Sequence, residues 1–147
     1  MGRGDSRLGS EGRLSYLKEL AGFACRARLA DLPAKVLERT RWVIADSLPV
    51  IAAGMQQPEM QALLKRHIPG GVGGTARGTA WVLGTRQRAG AFDAALLNGT
   101  AGTWLELNEG NLFAKGHPGI QVVPAAVALA QEAGAAGEEL LMAVAVG

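Results

Sequence analysis

The residues of this chain that could do chemistry are concentrated between positions 98 and 119. A stretch of small and apolar residues there runs into acids, amides, a lysine and a histidine: Glu106, Asn108, Glu109, Asn111, Lys115 and His117. Histidine exchanges its proton near neutral pH, so His117 is the natural candidate for a general acid or base. Glu106 and Glu109 could take part in the same proton transfer, or could orient His117 by hydrogen bonding.

A carboxylate of a substrate could bind beside this histidine. Pro124 is placed near the start of a predicted helix, which brings free backbone N–H groups close to the His117-Pro118-Gly119 turn. A helix N-terminus favours anions, and Lys115 adds a positive charge nearby.

Plainer interpretations stay open for the same residues. A turn rich in glutamate and asparagine between two helices can be a solvated connection, and a histidine before proline can be a packed turn residue. Glu106, Glu109 and His117 lack a recognised metal-ligand spacing, so we predict no metal site. His67 ends a basic helix, where a cation complements the helix dipole. We expect Cys25 and the three tryptophans to be buried.

Composition limits the class of protein. The 147 residues are 48% hydrophobic and 19% charged, which suits one globular domain with its own core. The net charge is +2 and the basic residues are scattered, so we predict no nucleic-acid partner. The single cysteine favours a reducing, cytoplasmic setting. The most apolar window, 42–55, is too short to span a bilayer, so we predict no membrane association. Residues 1–12 are polar and glycine-rich and should be a disordered lead-in to a domain at 13–147.

Hydrophobic spacing predicts an all-α, bundle-like domain of about six helices. The first covers 14–28. Asp31 should be the N-cap of the second, which runs to a stop at Gly54 and is kinked or split by Pro49. Three more helices are expected at 59–68, 89–105 and 122–132, and Gly134 should end the last of these. The sixth begins near Gly137. Residues 69–78 should be loop, and 81–83 a brief extended segment.

Several segments in order resemble the N-terminal helical domain of the MmgE/PrpD family. They are ADSLPVIAAG (45–54), AALLNGTAGTWLEL (94–107), GHPG (116–119) and VVPAAVALAQEAGAAGEELLMAVAVG (122–147). This family includes 2-methylcitrate dehydratases, cis-aconitate decarboxylase and iminodisuccinate epimerase. The matching pieces cover essentially everything after the polar lead-in.

The resemblance implies a cofactor-free enzyme that acts on small di- or tricarboxylates. Its shared chemistry would be proton removal next to a carboxylate, followed by loss of water or carbon dioxide, or by reprotonation. The family's acidic position falls on Glu106 and its histidine on His117, which become the candidate catalytic residues. Substrate-binding candidates are Asn108, Glu109, Asn111 and Lys115. The resemblance also implies a homodimer.

The chain departs from the family pattern in two respects. Where many relatives carry an Asp-rich DxDD(T)-like run, this chain reads Glu106-Leu107-Asn108-Glu109-Gly110. Relatives also continue past this length with a catalytic lysine, further histidines and an α/β lid domain, so we expect only part of an active site here. The competing hypothesis is a non-catalytic helical fragment or oligomerisation module.

Overall fold

Helices make up most of the chain. The computed structural model describes residues 10–68, 78–113 and 115–147, with side chains from residue 15 onward. Its helices are α1 Ser10–Arg26, α2 Ala34–Met55, α3 Pro58–His67, α4 Ala91–Trp104, α5 Pro118–Ala133 and α6 Gly137–Val146. Two short antiparallel strands, β1 Ala80–Trp81 and β2 Arg88–Ala89, complete the fold. The prediction of an all-α domain of about six helices is confirmed.

Helix α4 lies at the centre and packs closely against α2 and α5. Its buried face is made mostly of small residues, which lets the neighbouring backbones approach. Gly54 of α2 lies directly on the backbone carbonyl of Ala101, so no side chain fits there. Gly102 leaves room for the side chains of Ile51 and Ile120, which any larger residue would displace. Packing at this distance fixes α4 relative to both neighbours.

A buried asparagine connects α4 to the strand pair. Asn98 is completely buried, and its side-chain oxygen accepts a hydrogen bond of 2.9 Å from the backbone N–H of Leu83. Its amide nitrogen donates to the carbonyl of Trp81 at 3.0 Å. Both polar ends of the side chain are therefore satisfied by the strand segment, which stabilises an otherwise small β-structure against the helix.

The structure has two paired strands where the sequence predicts one extended segment. The predicted segment covers 81–83 and is ended by Gly84 and Thr85. These residues instead form the turn of a hairpin, with Gly84 at a φ of 77°, which glycine adopts readily. Gln131 of α5 accepts a hydrogen bond from the N–H of Trp81, so the hairpin is attached to two helices.

The start of α2 differs from the prediction. Asp31 was expected to be its N-cap, but it ends a short 3₁₀ turn and Pro33 takes the N-cap position. Leu32 precedes a proline and is extended, with a ψ of 135°, so the helix cannot continue back to Asp31. Pro49 does not split α2, which stays helical up to Met55, one residue past the expected stop at Gly54.

Helix α5 begins at Pro118 instead of at residue 122, and Pro124 therefore lies inside the helix. Gly134 ends α5 in the left-handed conformation, as predicted. The expectation of buried tryptophans is wrong, because Trp42, Trp81 and Trp104 lie on outward helix faces or on the hairpin and are 64%, 37% and 45% exposed. The expectation of a buried Cys25 is also wrong, since α1 leaves it exposed.

Two predicted segments fall wholly or mostly outside the described residues. The loop expected at 69–78 is described only at its last residue, and the lead-in expected at 1–12 only from Ser10, where α1 begins. Among the described helices, none has the length and apolar character needed to cross a membrane.

Replacing Asn98 with alanine should destabilise the fold. Two part-buried hydrogen bonds, one from the N–H of Leu83 and one to the carbonyl of Trp81, would be lost together with the packing of a fully buried side chain. We expect a cost of about 2–4 kcal/mol in the free energy of unfolding. Urea denaturation followed by circular dichroism measures this. Thr100→Ala is the control, because its hydroxyl only bonds back to its own helix. Equal stability of the two variants would contradict the assigned role of Asn98.

Candidate active site

The candidate site is the connection between the end of α4 and the start of α5. Its central part is a tight turn closed by an isolated antiparallel bridge between Asn111 and Gly116, in which the Asn111 N–H donates to the Gly116 carbonyl at 2.9 Å. The side-chain oxygen of Asn111 also accepts from the N–H of Phe113 at 2.9 Å. Asparagine thus organises this turn from its own side chain.

His117 is held by the backbone of the same connection. Its Nδ1 lies 2.5 Å from the carbonyl oxygen of Glu109. A carbonyl oxygen can only accept, so in the neutral ring Nδ1 carries the hydrogen and Nε2 holds the lone pair. The imidazole is exposed to solvent. This contact therefore orients the histidine and leaves Nε2 available to take a proton.

The side chain of Glu109 binds the first turn of α5. Its Oε1 accepts a hydrogen bond from the N–H of Gly119 at 2.5 Å. A carboxylate is favoured at this position because the N-terminal N–H groups of a helix lack partners and carry partial positive charge. Only glycine fits at position 119 without displacing a side chain. A Cβ there would lie 2.5 Å from Glu109 Oε1 and 2.6 Å from a methyl group of Val43.

The sequence predicts Glu109 as a substrate-binding residue, and the structure shows its carboxylate in contact with the protein itself. Its second oxygen, Oε2, is buried and has no hydrogen-bond partner among the described residues. The carboxylate is thus directed into the protein, where it occupies the α5 N-terminus that the sequence suggested for a substrate. Through its carbonyl and its side chain, Glu109 fixes both His117 and the helix that follows it.

Two of the predicted site residues have a left-handed backbone. Glu106 has a φ of 52° and Lys115 a φ of 50°. Residues with a Cβ avoid this conformation, at a cost of roughly 1–2 kcal/mol each. Both side chains are exposed, and neither makes a hydrogen bond or ion pair within the described part of the chain. Glu106 directly follows the C-cap of α4, a position where helices commonly end in the left-handed conformation and usually carry glycine.

A cleft of about 400 Å³ opens beside this connection, between α2, the start of α5 and the end of α6. Of the predicted site residues, Glu109 and Asn111 line it, together with Pro118 and Gly119. His117 is the residue directly before Pro118 and does not itself line the cleft. Glu106, Asn108 and Lys115 do not line the cleft, so the structure does not bring all six candidates into one pocket.

The sequence reasoning missed two cations of the cleft, Lys35 and Arg39 of α2. The signal was present, because residues four apart share one face of a helix, and Thr40 and Val43 extend that face. The scatter of basic residues along the sequence served only to exclude a nucleic-acid partner. No group of three or more His, Cys, Asp or Glu side chains with a metal-binding arrangement occurs in the described ranges.

The fold and the site together define an all-α domain with a structured histidine connection between two central helices. The family model of the MmgE/PrpD N-terminal domain matches residues 18–147, and the chain belongs to this family. The resemblance drawn from the sequence is therefore confirmed, for the N-terminal domain. Comparison with curated proteins finds no match, and comparison with solved structures finds none either.

Replacing Glu109 with alanine should destabilise the start of α5. The N–H of Gly119 would lose its acceptor, and loss of an N-terminal helix cap costs about 1–2 kcal/mol. Glu109→Gln keeps an oxygen for that N–H and should recover most of the loss. Chemical denaturation and amide hydrogen exchange at Gly119 measure both effects. If alanine and glutamine behave alike, the cap does not hold the helix.

Replacing Glu106 with glycine should stabilise the protein. Glycine adopts a φ near 52° without steric cost, so the free energy of unfolding should rise by about 0.5–1 kcal/mol. Glu106→Ala is the matched control, since it removes the carboxylate but keeps the Cβ, and should leave stability nearly unchanged. A glycine variant no more stable than the alanine variant would show that the backbone here is not strained.

Proposed function

We propose that this chain is the N-terminal portion of a cofactor-independent lyase or isomerase acting on small di- or tricarboxylates. The reaction begins with removal of a proton from a carbon next to a carboxylate. The electron pair left on that carbon then expels the hydroxyl group of the neighbouring carbon, which takes up a proton and leaves as water, or it takes a proton back on either face. Loss of carbon dioxide is the alternative step: the bond to the carboxyl carbon breaks, CO₂ leaves, and the electron pair that stays on the remaining carbon takes up a proton. Membership of the MmgE/PrpD family supports the class of reaction.

One contact carries the proposal, the hydrogen bond between His117 Nδ1 and the Glu109 carbonyl. It selects the tautomer whose free lone pair is on Nε2, which is the form a general base needs. In this proposal His117 takes the substrate proton at Nε2. Glu109 positions the histidine and does not touch the substrate, since its carboxylate is engaged with α5.

Glu106 is the second group that we propose for proton transfer. Its carboxylate is exposed and unpaired within the described residues, at a backbone position where glycine would be more stable. We propose that this exposed carboxylate takes part in the reaction. Lys115 shares these features and is a candidate for binding a substrate carboxylate, with Asn108 and Asn111 as further polar contacts.

Hydrogen exchange tests the first chemical step directly. The chain is incubated in D₂O with 2-methylcitrate, cis-aconitate or iminodisuccinate, and loss of the ¹H signal next to a carboxylate is followed by NMR. Proton abstraction should catalyse this loss on at least one acid. His117→Gln should slow it by about 10²–10⁴-fold, the usual contribution of a general base.

His67→Gln provides the control. His67 lies on α3, outside the connection between α4 and α5, and its Nδ1 is 3.7 Å from Oδ1 of Asp93. This variant should catalyse hydrogen exchange at the wild-type rate. Two results would contradict the proposal. One is a folded wild-type chain that catalyses hydrogen exchange on none of these acids, and the other is a His117→Gln variant that catalyses exchange as fast as wild type. The first result would favour the non-catalytic helical module.

A further inference from the structure

The wall of the cleft formed by α2 carries two positive charges side by side. Lys35 and Arg39 are separated by one helical turn and both line the cleft. Like charges at this spacing repel each other weakly on an exposed helix face, by about 0.2–0.5 kcal/mol. An anion bound between them would relieve this repulsion.

The described residues do not supply that anion. The ion pair found among them joins His67 to Asp93, and neither Lys35 nor Arg39 has an acidic side chain within 4.0 Å. Glu109 is the acid that lines the cleft, but its Oε1 binds the Gly119 N–H and its Oε2 is buried. The charge that the cleft offers to a ligand is consequently positive.

The remainder of the cleft is largely apolar. Val36 and Val43 of α2 face Val122 of α5 and Val144 of α6 around it. Cations beside an apolar wall suit an organic acid that has both a carboxylate and a hydrocarbon part. A volume near 400 Å³ lies within the range of small-molecule sites.

We propose that Lys35 and Arg39 together bind the carboxylates of the acid, and that two adjacent positive charges favour an acid with more than one carboxylate over a monocarboxylate. The guanidinium of Arg39 can hold a carboxylate with two parallel hydrogen bonds, and Lys35 adds a second positive charge. Pro118 and Gly119 line the cleft and follow His117 in the chain, so in this proposal the acid extends from the two cations along the start of α5 toward the histidine. The assignment of the bound acid as a substrate rests on the proposed function.

Binding of an unreactive tricarboxylate tests this assignment. Tricarballylate is titrated into the isotope-labelled chain, and ¹H–¹⁵N spectra report the affinity and the residues affected. Signals of Arg39, Gly119 and Val144 should shift together. Lys35→Gln and Arg39→Gln should each weaken binding by about tenfold, as expected for loss of one charge-assisted contact. Added salt should weaken binding as well, because the cleft is open to solvent.

Arg41→Gln is the matched control, since Arg41 is an exposed cation of the same helix that does not line the cleft. It should bind tricarballylate like wild type. Equal affinities of the Arg41, Arg39 and Lys35 variants would overturn the assignment. Butyrate or inorganic phosphate binding as tightly as tricarballylate would overturn the selectivity for polycarboxylates.

The hydrogen-exchange assay separates this inference from the proposed function. His117→Gln should bind tricarballylate normally while losing exchange. If exchange occurs and is unaffected by Lys35→Gln and Arg39→Gln, the cation site is wrong and the proposed function stands. If tricarballylate binding depends on both cations but no acid undergoes exchange, the site stands and the proposed function fails.

Discussion

The close approach of α4 to its two neighbours is the constraint on which the rest of the structure depends. The contact of Gly54 with the Ala101 carbonyl, and the space left by Gly102, allow three helix backbones to pack with little side-chain volume between them. Interiors packed at this density deform little. The end of α4 and the start of α5 are thereby held together, and the connection between them, described at residues 105–113 and 115–117, joins two closely packed helices.

At two of these helices, a carboxylate from elsewhere in the chain accepts a hydrogen bond from a backbone N–H at the helix start. Glu132 of α5 accepts from the N–H of Ala91 at 2.7 Å, at the start of α4, and Glu109 does the same for Gly119 at the start of α5. Neither helix has a side-chain cap from its own N-cap residue. Exposed N–H groups at a helix start need acceptors, so tertiary contacts supply what the local sequence lacks. At α5 the same residue, Glu109, also holds His117 through its backbone carbonyl.

Much of the helical architecture could be predicted from the sequence. Apolar residues at helical spacing located the six helices of the described residues, since a helix that packs on a core carries apolar side chains every three or four residues. The histidine connection was also visible, because polar residues rarely crowd into so short a segment between apolar ones. Local patterns could not give the start of α5 or the second strand of the hairpin. Both depend on hydrogen-bond partners distant in the chain, Glu109 for α5 and Asn98 and Gln131 for the hairpin.

The sequence alone determined the fold class, the family and the residues that could transfer a proton, because these follow from residue type and order. The tertiary structure decided where each of them lies and what it contacts. It turned the Glu109 carboxylate inward to α5, oriented His117 through a backbone carbonyl, and left Glu106 exposed on a strained backbone. It also brought Lys35 and Arg39 to the same cleft as Glu109. Such assignments depend on distances between segments far apart in the chain, which residue order does not contain.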